Sequence, residues 1–145
     1  GKCYKRIDQS KTFIEAREVC KQENSYVASV QNEGEARFVS ALVQTEKNYT
    51  VDEQTWIGYV KYDRDFGWED GNQGLHFDPW TEKMPREKKC TVFTGNEIHE
   101  DCRSQYRFVS VECNKKQRSI LCSKPPMVNG VPTVFKVTDN SSKKV

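Results

Sequence analysis

The sequence predicts an α+β fold: two amphipathic helices first, then small antiparallel sheets and a long loop, stapled by disulfides. Helical periodicity ends near Val51, and beyond it the chain consists of short β-branched and aromatic runs broken by Gly, Asn, Asp and Pro. Helices followed by strands is the order of an α+β chain, whereas a doubly wound sheet would alternate them. Six cysteines, with no Cys-x-x-Cys and only two histidines, form a disulfide set rather than a zinc site. The 145 residues suffice for one core that buries about 70% of the unfolded surface, and a second full domain is not expected.

Each element has its own signal. The alternation of 3–7 predicts an edge strand. Thr12 with Glu15 three residues later is a capping box, starting a helix over 13–23 with Phe13, Ala16, Val19 and Cys20 on one face. The run 26–30 is strand-like. Asn32 with Glu35 repeats the capping logic and starts a helix over 33–46 whose apolar stripe is Phe38, Val39, Leu42 and Val43. Strands are predicted at 55–60, 66–69, 91–93, 106–111 and 119–122. Between 70 and 89 there is little regular pattern despite Leu75, Phe77 and Trp80, so this is a long loop, functional or pinned by aromatic anchors. The domain is expected over 1–122. Residues 123–145 begin with Ser123-Lys124-Pro125-Pro126 and read as a linker or tail in which 131–137 could pair as an added strand.

Composition excludes several classes. Lys plus Arg is 23 against 21 for Asp plus Glu, a formal charge of +2, so bulk electrostatics gives no argument for nucleic acid. Three Trp, six Tyr and seven Phe are too many for a disordered chain. The longest apolar cluster, 38–43, is far short of the ~20 residues that span a bilayer, so no direct membrane insertion is expected. Two sequons, Asn48-Tyr49-Thr50 and Asn140-Ser141-Ser142, join the cysteines in predicting an extracellular glycoprotein, secreted or the ectodomain of a cell-surface protein. With no initiator Met and no apolar signal segment, the chain reads as a mature or excised fragment.

Taken together, the set Glu15-Ala16-Arg17-Glu18-Val19-Cys20, Ser29-x-x-Asn32-x-x-Glu35-x-x-Phe38, Trp56-Ile57-Gly58, Trp68-Glu69-Asp70-Gly71, Trp80, Cys90, Cys113 and Ile120-Leu121-Cys122 resembles the C-type lectin-like domain. The match covers roughly residues 3–122, and its residues identify a fold rather than a ligand. The resemblance implies bridges Cys20–Cys122 and Cys90–Cys113. Cys3 and Cys102 remain: Cys3 either pairs with Cys102 or has a partner preceding Gly1, as in longer family members. A second registration, with Cys102 in the place of Cys113, is also open.

Sugar-binding members of that family hold calcium through a Glu-Pro-Asn or Gln-Pro-Asp triplet in the long loop and a Trp-Asn-Asp triplet before the penultimate cysteine. Calcium needs six to eight oxygen ligands. Here Pro85 is flanked by Met84 and Arg86, neither a hard oxygen donor. The second triplet aligns with Phe108-Val109-Ser110, or with Glu97-Ile98-His99 in the other registration. Neither reproduces the Asn-Asp ligands, so no calcium or other cofactor is expected. The acidic stretch 97–101 has one histidine and no recognised zinc spacing. Without a Gly-x-Ser-x-Gly elbow or a phosphate loop, and with no sequence-level nucleophile partner for His76 or His99, no enzyme is expected.

Two basic runs stand out, Lys83, Arg86, Lys88 and Lys89 in one and Lys115, Lys116 and Arg118 in the other. A Cys90–Cys113 bridge would bring them together as a basic rim beside the long loop. Together with Phe77, Trp80 and Met84 these residues form the expected ligand surface. The expected function is calcium-independent recognition of an extracellular protein. The alternative is a sulfated or acidic glycan on the basic rim, where Arg would engage sulfate bidentately.

Overall fold

A computed structural model describes residues 2–44, 53–80, 87–94 and 108–125, and the backbone of 127–128 and 131–132. Its elements are β1 (Cys3–Ile7), α1 (Phe13–Gln22), β2 (Tyr26–Val27), α2 (Glu33–Val43), β3 (Thr55–Ile57), β4 (Tyr59–Tyr62), β5 (Asp65–Trp68), β6 (Cys90–Phe93), β7 (Phe108–Val111), β8 (Ser119–Lys124), β9 (Met127–Val128) and β10 (Val131–Pro132). The main sheet has the order β1-β8-β3-β6-β7, with β2 also on β8. β8 is antiparallel to β1 and β2 and parallel to β3. The pairs β4–β5 and β9–β10 stand apart as two-stranded ladders.

Strand alternation sorts the core into two layers, one on each face of the sheet. Trp56, Val92, Val109 and Ile120 pack with Phe13, Ala16 and Cys20 of α1. Their sequence neighbours Ile57, Phe93, Phe108 and Leu121 pack with Ala36, Val39 and Val43 of α2. The Cys20–Cys122 bridge, Cα atoms 5.5 Å apart, ties α1 to the central strand, and Cys90–Cys113, at 5.2 Å, closes the β6–β7 end. Both bridges implied by the resemblance therefore form, and Cys102 does not take the place of Cys113. Cys3, exposed on β1 at the opposite edge of the sheet from β7, forms no bridge among the described residues. Cys102 itself lies outside the described residues.

The capping box at α1 is complete: Glu15 N–H donates to Thr12 Oγ1 at 3.4 Å and Thr12 N–H to Glu15 Oε1 at 3.0 Å. At α2 the Asn32 side chain accepts from Glu35 N–H at 2.9 Å. The Glu35 carboxylate accepts instead from Gln31 N–H at 2.9 Å and from Lys2 Nζ at 2.9 Å, so the return bond falls one residue earlier.

Several expectations are corrected. The helix predicted over 33–46 ends at Val43, with Gln44 in an extended conformation and 45–46 outside the described residues. Its last carbonyls are met from elsewhere in the fold, Leu42 by Arg6 Nη1 at 2.8 Å and Val43 by Arg118 Nη2 at 3.4 Å. Phe38 is not part of the buried stripe. It is 60% exposed and stacks on Tyr4 at 5.8 Å, while Ala36 holds the buried position in phase with Val39 and Val43. The 26–30 run contributes ladder pairs only at Tyr26 and Val27.

The strand predicted over 55–60 divides at Gly58, where an added Cβ would lie 2.3 Å from the carbonyl oxygen of Val27. Gly58 N–H donates to Ala28 O at 2.8 Å, turning β3 out of the main sheet into the β4–β5 hairpin. Of the predicted 106–111 strand, 108–111 pairs and 106–107 lies outside the described residues. β8 runs two residues past its predicted end because Ser123 and Lys124 pair with Tyr4 and Cys3. In the expected tail, Val131–Pro132 pairs with Met127–Val128 and not with the main sheet.

Candidate functional site

The first part of the long loop is held by polar contacts to the segment ahead of α2. Asp70 is buried; its carboxylate accepts from Ser29 Oγ at 2.5 Å and from the Asn72 backbone and side-chain nitrogens, each at 2.9 Å. Gly71 and Gly74 take positive φ, 81° and 90°, which their missing Cβ permits. Trp68 Nε1 donates to Gly74 O at 2.9 Å, Gln31 Nε2 to Gln73 O at 2.7 Å, and His76 N–H to Gln31 O at 2.7 Å. The loop then crosses to β7, where Phe108 N–H donates to Pro79 O at 2.8 Å.

Both aromatic residues singled out in the loop, Phe77 and Trp80, are half-buried and rest edge-on against Phe108, at 5.9 and 5.6 Å. Beside Trp80 stand two rings that the sequence reading missed. Phe66 is 5.2 Å from Trp80 and 5.0 Å from Tyr59, and Tyr59 is 6.1 Å from Trp80. Tyr59 in turn stacks on the buried ring of Trp68 at 4.2 Å. All three of Tyr59, Phe66 and Trp80 are half-buried. The signal for the two missed rings was available in the alternation of 59–62 and 65–68 about a tight turn. What joins them to Trp80 is the fold of the hairpin onto β6.

The basic residues separate into groups. Lys88 and Lys89 are exposed just ahead of Cys90, and Lys115 and Lys116 are exposed in the turn after Cys113. The bridge therefore brings these four to one end of the β6–β7 ladder. Trp80 packs at the other end, against Phe108, about 10 to 13 Å away along the strands. Arg118 leaves the group: it is half-buried, and its guanidinium lies against the end of α2. Lys83, Met84, Pro85 and Arg86 lie outside the described residues, as do Asn48, Asn140 and the acidic stretch 97–101.

At the position aligned with a calcium-binding triplet, β7 places Phe108 fully buried and Val109 almost so. Among the described residues no group of three or more His, Cys, Asp or Glu side chains could hold a metal ion. Two ionisable clusters are structural. Burial of the Tyr4 phenol, with Glu35 and Asp70 nearby, pushes its pKa far above the usual range while its hydroxyl donates to Ser29 O at 2.7 Å. Arg17 of α1 grips Glu69 through two bonds and lies 5.2 Å over the ring of Phe13.

A family model described as the Lectin C-type domain matches residues 9–124. The chain is 88% identical over 145 residues to C-type lectin domain-containing protein 161 of Caenorhabditis elegans; it is matched along its whole length and spans 17% of that relative. Among solved structures, the cow C-type carbohydrate-recognition domain of CD23, crystallised in the presence of a GlcNAc2Man3 oligosaccharide, superposes with a TM-score of 0.69 at 20% identity, covering 88% of this chain and 90% of that one. A calcium-independent type II antifreeze protein superposes with a TM-score of 0.66 at 16% identity, covering 85% of each chain. A family model spanning most of the chain, two helices flanking a β8-centred sheet and both expected bridges agree: this chain belongs to the C-type lectin domain family.

Proposed function

We propose that this domain is a non-catalytic recognition module of an extracellular protein, and that it binds a protein partner without calcium. The observation that carries the reading is the contiguous set of half-buried rings Tyr59, Phe66 and Trp80, no pair more than 6.1 Å apart. Rings held from behind by Trp68 and Phe108 lose little entropy on binding and bring large contact area, which is why aromatic residues recur as anchors of protein interfaces. Calcium independence is supported by the residues at the two triplet positions. Met84 and Arg86 flank Pro85, and Phe108 and Val109 serve the core. The fold is compatible with such a role, since one of its structural neighbours is described as calcium-independent. The extracellular setting is supported by the two bridges, which persist in oxidising compartments.

The test is affinity capture with the full chain, with and without a calcium chelator, followed by affinity measurements on the captured partner. Capture should survive chelation, and Phe66→Ala with Trp80→Ala should weaken the partner by about tenfold or more while the far-ultraviolet spectrum stays native. Capture that requires calcium, or undiminished binding by the double variant, overturns the reading.

A further inference from the structure

We propose that the disulfide end of the β6–β7 ladder is a second binding site, one for sulfated glycan chains, built by Lys88, Lys89, Lys115, Lys116 and Lys11. It does not rest on the protein-binding reading, because it is argued from charge and not from the ring set, of which Trp80 packs at the far end of the ladder against Phe108. Three segments converge there. The Cys90–Cys113 bridge, with Cα atoms 5.2 Å apart, sets Lys88 and Lys89 beside the turn that carries Lys115 and Lys116. A backbone pair between Lys11 and Gln117, with bonds of 3.1 and 2.9 Å, adds the segment leading into α1. Glu15 reports the convergence: its carboxylate is held below its usual range, first by the Thr12 N–H and further by both Lys116 and Lys11.

These lysines differ in pairing from four other cations of the fold. Lys2, Lys5, Arg6 and Arg17 are each engaged in an ion pair with Glu35, Glu23, Asp8 and Glu69. Among the described residues, none of the five lysines is. Among the described residues, the acids carried by these three segments are Glu15, Glu87 and Glu112, against the five lysines. The amino end of α1 also points here and adds positive potential. A covalent bridge fixes two of the segments before any ligand arrives, so little ordering cost remains.

The kind of ligand is set by the surroundings of the lysines. Protein interfaces deplete Lys at their core and need desolvated apolar anchors, whereas the segments that carry the five lysines, 87–89, 114–117 and 11–12, hold no large apolar residue. Single-stranded nucleic acid is held by stacking on aromatic side chains, and the segments 87–89, 114–117 and 11–12 carry none. Hydrated ammonium groups spread over three segments suit an extended, highly charged chain that stays solvated and gains mainly by release of counterions. A sulfated glycan has that chemistry.

Heparin oligosaccharides of graded length are the probe, with fully desulfated heparin and a DNA duplex of matched charge as comparisons, all with the full chain in chelator. Affinity should rise with oligosaccharide length, fall steeply with salt and be lost on desulfation. The quadruple variant Lys88→Glu, Lys89→Glu, Lys115→Glu, Lys116→Glu should lose about tenfold or more, with its melting temperature within a few degrees of the parent. Reversal of Lys5, Lys21 and Lys124, which lie away from this end, should change affinity by less than about threefold. Equal losses in both charge-reversal variants, equal binding of desulfated heparin or DNA, or no binding by the parent would each overturn the proposal. None of these results bears on the ring surface, whose partner and variants are different.

Discussion

Tyr62 Oη donates to Glu69 Oε2 at 2.8 Å, and the same carboxylate receives Arg17 Nε at 2.6 Å, so three elements meet at one side chain: α1, β4 and the end of the β4–β5 hairpin. Partial burial, and then the negative charge of Glu69, push the Tyr62 phenol up to about 12, against which Arg17 acts in the opposite direction. A phenol raised from its ordinary value near 10 favours folding below that value, and the contribution is lost as pH rises from about 10 through 12. Ultraviolet titration should show one tyrosine ionising near 12 in the parent. In Glu69→Gln that ionisation should move down toward 10; if it stays, burial alone causes the shift.

Gly58 is the second point of test, because its missing side chain is required by backbone rather than by a movable neighbour. An added Cβ would lie 2.3 Å from Val27 O, 2.9 Å from Val27 C and 3.2 Å from Ala28 O. Gly58→Ala should therefore destabilise by about 2 to 3 kcal/mol and lower the melting temperature by roughly 8 °C. Gly67→Ala is the control, since its added Cβ would meet only the Tyr62 ring at 3.8 Å. Its melting temperature should stay within a few degrees of the parent, and equal losses in both variants would show that the Val27 contact is not the cause.

The two bridges should differ in weight. Cys20–Cys122 closes a separation of 102 residues and Cys90–Cys113 one of 23, which in the chain-entropy account are worth about 4.7 and roughly 3 kcal/mol. Paired Cys→Ser variants in urea should lose stability in that order. The reverse order would mean that packing lost around the shorter bridge outweighs loop closure.

Calcium should not stabilise the chain. Binding at one site with a hundredfold excess over Kd would add about 2.7 kcal/mol, a visible rise in melting temperature. With Phe108 and Val109 turned into the core of β7, the expected outcome is superimposable melting curves in calcium and in chelator. A rise that chelator reverses would point to carboxylates elsewhere in the chain.

How much of this was legible in the residues varies with the range of the interaction. Local chemistry is written locally: Thr12 and Glu15 satisfy each other three residues apart, so the start of α1 was readable, and so was the presence of a helix at Glu33–Val43. The resemblance implied both bridges while leaving Cys102 open as an alternative to Cys113, and the structure decided for Cys113. The sequence by itself thus determined the order of elements and the absence of a local motif for catalysis.

Only the tertiary structure decided the contacts whose partners are far apart in the chain. The end of α2 is set by Arg6 and Arg118, on other elements, so periodicity alone ran it too far. Phe38 lies within the apolar pattern but faces Tyr4 of β1 and solvent, because a helix buries only the side that the sheet covers. The split at Gly58 depends on how closely the Val27 backbone approaches. The expected ligand surface separated for the same reason: β6 and β7 hold Phe77 and Trp80 at their Phe93–Phe108 end and the lysines at their disulfide end, and linear proximity cannot report which end of a ladder a residue reaches.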